Sequence, residues 1–225
     1  MSSTVLVIAA HTDDETLGMG GAIQAHRRRG DRVCAIAMTN GVGARGVIDD
    51  HAIRERATAA DKAAQILDFE WAARFDFPDN AMDRSALLSV VQAIETVKAD
   101  LCPEIVYTHS AADLNVDHRI TAQAALTAFR PQPGERCCEI RLFEVASATD
   151  YGAEDVIARF SPNLFIGIAD NWAAKAAALD AYGAEMRPFP HSRSVDGLRA
   201  RAVLRGVQAG LAMAEAFQVI RKIEP

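Results

Sequence analysis

The chain has 225 residues, 50% of them hydrophobic and 24% charged, with a formal net charge of −6 at pH 7. That size suits one domain spanning 1–225, able to bury its own core without a disulfide or structural metal, and the acidic balance argues against a nucleic-acid partner. No apolar stretch approaches the ~20 residues of a membrane span, the first one lacks the basic flank of a signal peptide, and Cys34, Cys102, Cys137 and Cys138 lack C-x-x-C zinc spacing, so a soluble, cytoplasmic protein with reduced thiols is expected.

Thr4–Ala10 (TVLVIAA) is a continuous apolar run, the pattern of a strand buried on both faces. Thr16–Arg29 follows as a helix ended by Gly30, with Arg27, Arg28 and Arg29 suiting the negative end of its dipole. Arg32–Thr39 is a second strand, Gly41–Gly46 a glycine-rich loop, and about Asp50 to Leu67 a second helix. A third strand is expected near Ala72–Phe77, then turn chemistry in Pro78–Asp83 and a helix over Ser85–Asp100. Glu104–Thr108 reads as strand four, His109–Val116 as a loop and Asp117–Phe129 as a helix. Further strands are expected at Ile140–Val145 and Leu164–Ile168, and helices over Asn171–Ala181 and Val195–Phe217, with the proline-rich segment MRPFPHSRS between those helices. Strands alternating with helices imply an α/β fold: a Rossmann-like, mainly parallel sheet with helices on both faces and strand order 3-2-1-4 at its centre.

Two clusters carry chemistry. His11-Thr-Asp13-Asp14-Glu15 follows strand one, and Asp113-Leu-Asn115-Val-Asp117-His118 follows strand four. Each has a plain alternative as a helix N-terminus, where Asp caps and acids suit the dipole. Capping does not account for His11, nor for three consecutive acids. In a 3-2-1-4 sheet, strands one and four are neighbours, and the crevice at their carboxyl ends is where ligands bind. His11, Asp14 and His118 would then meet as N, O and N donors with a fourth position open, the composition of a catalytic zinc site.

AHTDDETLGMGG (10–21) resembles the AHPDDE-x-LG-x-GG signature of the PIG-L/LmbE-like zinc deacetylases, which remove N-acetyl groups from amino sugars and their conjugates, and Asp117-His118 resembles that family's downstream DH pair. The resemblance runs over roughly residues 4–130, including Arg56 and Asp79. It implies one Zn²⁺ on His11, Asp14 and His118, Asp13 as general base, and Arg56 and Asp79 as residues holding an N-acetylated sugar. A homo-oligomer is compatible with it.

Thr12 replaces the family's usual proline. Asn115 stands where many members carry a histidine that assists the oxyanion or leaving group, and Asn cannot transfer a proton. The oxyanion therefore needs another donor: one from the loop containing His191 is preferred, His109 is the alternative, and zinc with Asn115 the third possibility. Two rival readings fit less well. Gly18, Gly20 and Gly21 are not spaced as a dinucleotide fingerprint and fit close packing of a helix on the sheet instead. A metal-stabilised carbohydrate-binding module would have no use for Asp13.

Overall fold

Thr4–Ala9 forms β1 at the centre of the sheet, buried from Val5 onward. The computed structural model describes residues 2–43, 50–152 and 159–224, so the Ala44–Gly46 end of the expected glycine-rich loop lies outside the described residues. Along the chain follow α1 (Asp14–Arg28), β2 (Arg32–Thr39), α2 (Asp50–Leu67), β3 (Glu70–Phe77), α3 (Leu87–Leu101), β4 (Ile105–His109), α4 (Val116–Ala128), β5 (Glu139–Phe143), β6 (Leu164–Gly167), α5 (Trp172–Ala181), α6 (Val195–Val207) and β7 (Ala214–Lys222). The sheet runs β3-β2-β1-β4-β5-β7-β6. Its first five strands pair in parallel, and β7 runs antiparallel to both neighbours.

Alternation along β1 divides the core. Val5 and Val7 pack with α1, α2, α5 and α6 through residues such as Ile23, Ala63, Leu179 and Leu198. Leu6 and Ile8 pack with α3 and α4 through Val90, Ile94, Ala125 and Phe129. A sheet covered on both faces needs strands apolar on both faces, which is what the TVLVIA run supplies.

The carboxyl end of the sheet differs from expectation at one helix start. Asn115, not Asp117, is the N-cap of α4, its side chain accepting from Asp117 N at 2.8 Å. That frees the Asp117 carboxylate to point elsewhere.

The larger correction concerns the C-terminal segment. A single helix over Val195–Phe217 is expected from its run of helix formers, but α6 stops at Val207 and Ala214–Lys222 forms β7. Gly210 turns the chain at φ +70, a conformation glycine adopts without penalty. The nine-residue β7 then fills the gap between β5 and β6, and pairing on both edges overrides local helix propensity. The expected helical glycines do sit inside α1: a Cβ would lie 2.5 Å from Phe143 at Gly18 and 2.6 Å from Ile168 at Gly21.

Candidate metal centre

The switch point forms where β1 and β4 end side by side. Ala10 O accepts from Met38 N and Thr39 N, tying the turn after β1 to β2. His11 follows, then Asp13 with φ 151 and ψ −26, a backbone conformation that L residues rarely adopt. It persists because Asp13 O accepts from Thr16 N and Leu17 N at 3.0 and 2.8 Å, and Asp13 N donates to Glu15 Oε2 at 3.0 Å. The consequence is that the neighbouring carboxylates of Asp13 and Asp14 face different partners.

Asp14 faces inward. Its Oδ2 lies 3.1 Å from His11 Nδ1 and 3.4 Å from His118 Nε2, and those two nitrogens are 3.3 Å apart. All three residues are buried. The other nitrogen of each imidazole meets a carboxylate. His11 Nε2 is 3.1 Å from Asp117 Oδ2 and 3.2 Å from Asp79 Oδ1, and His118 Nδ1 is 3.0 Å from Asp113 Oδ2. Asp117 also accepts from Asn80 N and Met82 N, and Asp113 from Thr149 Oγ1 and Asn115 N, so both act as carboxylate acceptors.

Asp117 at His11 Nε2 and the nearby Asp113 carboxylate at His118 Nδ1 favour imidazole protons on those two nitrogens. Three lone pairs, on His11 Nδ1, Asp14 Oδ2 and His118 Nε2, are then aimed at one another. Such a triangle is stable only around a cation or an extra proton. Its edges of 3.1–3.4 Å compare with about 3.3–3.4 Å between donors of a tetrahedral zinc with bonds of about 2.0–2.1 Å. Asp14 Oδ1 is buried without a hydrogen-bond partner. Carboxylates behind both imidazoles are the usual support of metal-bound histidine. The residues present fit a divalent ion.

Electrostatics agree. Burial disfavours the charged form of His118, but Asp14 and Asp113 more than offset it and hold the imidazole up to about 9. Burial acts likewise on His11, where Asp117, Asp14 and Asp79 raise it well above its ordinary value. Burial pushes Asp14 upward, yet His118, His109 and His11 bring it well below the usual carboxylate range. Burial raises Asp13, with Arg56 pulling the other way, and lifts Glu15 to about 7.

The remaining expected residues divide. Asp13 is buried, with Oδ1 3.1 Å from Arg56 Nη2 and Oδ2 3.4 Å from Arg193 Nη1. Arg56 reaches inward, donating from Nε to Thr12 Oγ1 at 2.9 Å and meeting Glu185 Oε1 at 2.7 Å, with Tyr182 beneath its guanidinium. Asp79 adjoins the centre through His11. His109 is fully buried, stacked on His118, and its Nε2 accepts from Ala10 N at 2.8 Å. Its proton therefore sits on Nδ1, which is buried without a partner, and its Nε2 also lies 3.4 Å from Asp14 Oδ2. Asn115 spends its oxygen on the α4 cap and its Nδ2 on Asn80 Oδ1 at 3.1 Å. His191 joins none of the candidate ligand groups among the described residues, and its Nδ1 accepts from Arg193 N at 3.0 Å.

Sequence reading placed Asp113 and Asp117 in the second cluster but did not assign them the support of His118 and His11. Their flanking of His118 was the only signal. Arg193, Glu185 and Tyr182 come from the C-terminal third, and no spacing ties them to His11 or Asp13.

Fold and site together define a Rossmann-like α/β protein with a His-Asp-His group at its topological switch point. Residues 6–129 match the family PIG-L: GlcNAc-PI de-N-acetylase, and the chain belongs to this family. YaiS of Escherichia coli (strain K12), an uncharacterised deacetylase, is 31% identical over 135 residues, which are 57% of this chain and 69% of that protein. The fold is shared with N,N'-diacetylchitobiose deacetylase from Pyrococcus horikoshii (TM-score 0.77, 21% identity, 98% of this chain and 84% of that one). It is shared equally with GalB, the 4-carboxy-2-hydroxymuconate hydratase of Pseudomonas putida KT2440 (TM-score 0.80, 22% identity, 100% and 98%). Among the described residues no helix is long and apolar enough to cross a membrane.

Proposed function

We propose that the chain is a zinc-dependent amidohydrolase that removes the acetyl group from an N-acetylated amino sugar or its conjugate. The observation that carries this reading is the triangle of His11 Nδ1, Asp14 Oδ2 and His118 Nε2, with edges of 3.1–3.4 Å, beside a buried carboxylate that is not part of it. The fold hosts a hydratase as well as deacetylases, so the fold does not choose the reaction. Family membership supports amide cleavage.

His11, Asp14 and His118 would hold the ion, and Asp113 and Asp117 orient the two imidazoles. A divalent metal, when bound, polarises the amide carbonyl and acidifies a water towards pKa ~7. Asp13 takes the proton from the attacking water and returns it to the departing amine nitrogen, so acetate and a free amine leave and the carboxylate is regenerated. With that cycle, Asn115 need not transfer a proton. Arg56 holds Asp13 at one oxygen, and this contact, rather than a sugar hydroxyl, is the role its geometry supports. Asp79, at the edge of the centre against His11, remains our candidate for a sugar hydroxyl.

The test is acetate release from a panel of N-acetylated sugars with metal-loaded protein, with chelator, and after zinc is restored. We expect release that chelator abolishes and zinc recovers. Hydration of an unsaturated dicarboxylate with no acetate released from any acetamide would overturn the reading. Sugar binding without turnover would make the chain a binding module.

A further inference from the structure

A carboxylate beside a divalent ion has a strong reason to ligate it, and one that does so no longer serves as a base. Asp13 immediately precedes Asp14 in the chain, and something must keep its oxygens away from the ion. Both are occupied in the structure, each by an arginine from a different element. Arg56, on α2, is 8% exposed at its side chain and is itself fixed by Thr12 and Glu185. Arg193 comes from the proline-rich segment before α6, is 20% exposed, and makes the longer contact, 3.4 Å.

Arg193 is nevertheless built in. Its Nε donates to Ser147 Oγ at 2.7 Å and Ala146 O at 3.3 Å. Its backbone N donates to His191 Nδ1, and Ser194, the next residue, caps α6 by accepting from Gly197 N at 2.9 Å. Ser147 holds φ +67 in the turn after β5, and its N donates to Asp150 Oδ2. In the same turn Thr149 Oγ1 donates to Asp113, the carboxylate behind His118. One turn thus anchors both the arginine on Asp13 and the support of a candidate metal ligand. It also gives His191 a place in the site: it orients Arg193.

We propose that Arg193 is a positioning residue whose guanidinium keeps Asp13 Oδ2 out of the metal coordination sphere, leaving it available for proton transfer. The proposal rests on the metal centre proposed above and concerns Asp13 whatever amide is cleaved. Without Arg193, Oδ2 is released while Arg56 still holds Oδ1, and the free oxygen turns to the ion as an added ligand.

The test uses R193M, R193K and S147G in the full chain, with zinc for kinetics and cobalt(II) for visible absorption. R193M is expected to lower kcat by roughly 10²-fold, the lower end of the loss of a positioned base, with KM little changed. Its cobalt(II) bands should weaken as coordination number rises. R193K should recover part of kcat and the wild-type spectrum. S147G removes the anchor, suits the positive φ, and should shift both readouts the same way by less. It decides the matter if R193M does not fold. Wild-type kcat and spectrum in these variants overturn the proposal, as does a loss carried by KM with an unchanged spectrum. If the wild type cleaves no acetamide, the proposed function fails, and the cobalt(II) comparison alone still decides the clamp.

Discussion

Asp13 and Asp14 are adjacent, both buried, and chemically the same, yet only Asp14 faces the two imidazoles. The difference lies in backbone and partners together: Asp13 has φ 151, and its carboxylate oxygens meet Arg56 and Arg193. Asp13→Asn keeps size and shape while removing the ability to accept a proton. It is expected to lower turnover ~10²–10⁴-fold with metal content near wild type, measured by kinetics alongside elemental analysis. Loss of metal in this variant would make Asp13 a ligand. At this scale the sequence was most legible where chemistry is local. The nearness of His11, Asp14 and His118 followed from residue type plus strand order. His191 was singled out from its loop composition, but the residue of that loop that reaches Asp13 is Arg193. Side-chain reach across a turn is a tertiary fact with no spacing to announce it.

Helix α1 shows how an element is made to deliver Asp14. Its path breaks at Met19, whose φ is −150, leaving backbone groups without helical partners in the middle of a buried element. Two charged residues from distant elements satisfy them. Glu215 of β7 accepts from Gly21 N and Ala22 N at 3.0 and 2.6 Å, and Lys175 of α5 donates to Leu17 O at 2.9 Å. Lys175 and Glu215 pair at 2.5 Å, both nearly fully buried. Lys175→Met should cost about 3–5 kcal/mol, because it leaves Glu215 in the core without the cation it pairs with. In the double variant with Glu215→Gln the cost should be smaller than in Lys175→Met alone. Urea unfolding of the set measures this, and a cost below about 1 kcal/mol for Lys175→Met would show the pair to be dispensable. The GMGG segment was legible as a close-packing site. The break was not, since its partners lie on α5 and on β7, the strand misread as the end of a helix.

Across the whole molecule, the two ends of the sheet do different work. The amino end holds a closed polar network, in which His26 bridges Asp31 and Tyr107 at 2.7 and 2.8 Å and burial pushes its imidazole down to about 4. That network satisfies itself and offers no unpaired lone pairs. The carboxyl end gathers two histidines and a carboxylate whose lone pairs face one another, supported from outside by Asp113 and Asp117. The parallel half of the fold, β3-β2-β1-β4, was readable because buried parallel strands have a strong apolar signature and their order follows from alternation with helices. In the other half β5 and β6 were readable from their apolar runs, and what was missed is β7, which reads locally as helix until those two strands claim it. The central claim is that the carboxyl end binds one divalent ion between β1 and β4. Anomalous diffraction at the zinc edge from crystals of zinc-loaded protein tests it most directly. We expect one peak within bonding distance of His11 Nδ1, Asp14 Oδ2 and His118 Nε2, at about 2.0–2.2 Å from each. A peak elsewhere, or none at these three atoms at full zinc loading, would contradict it.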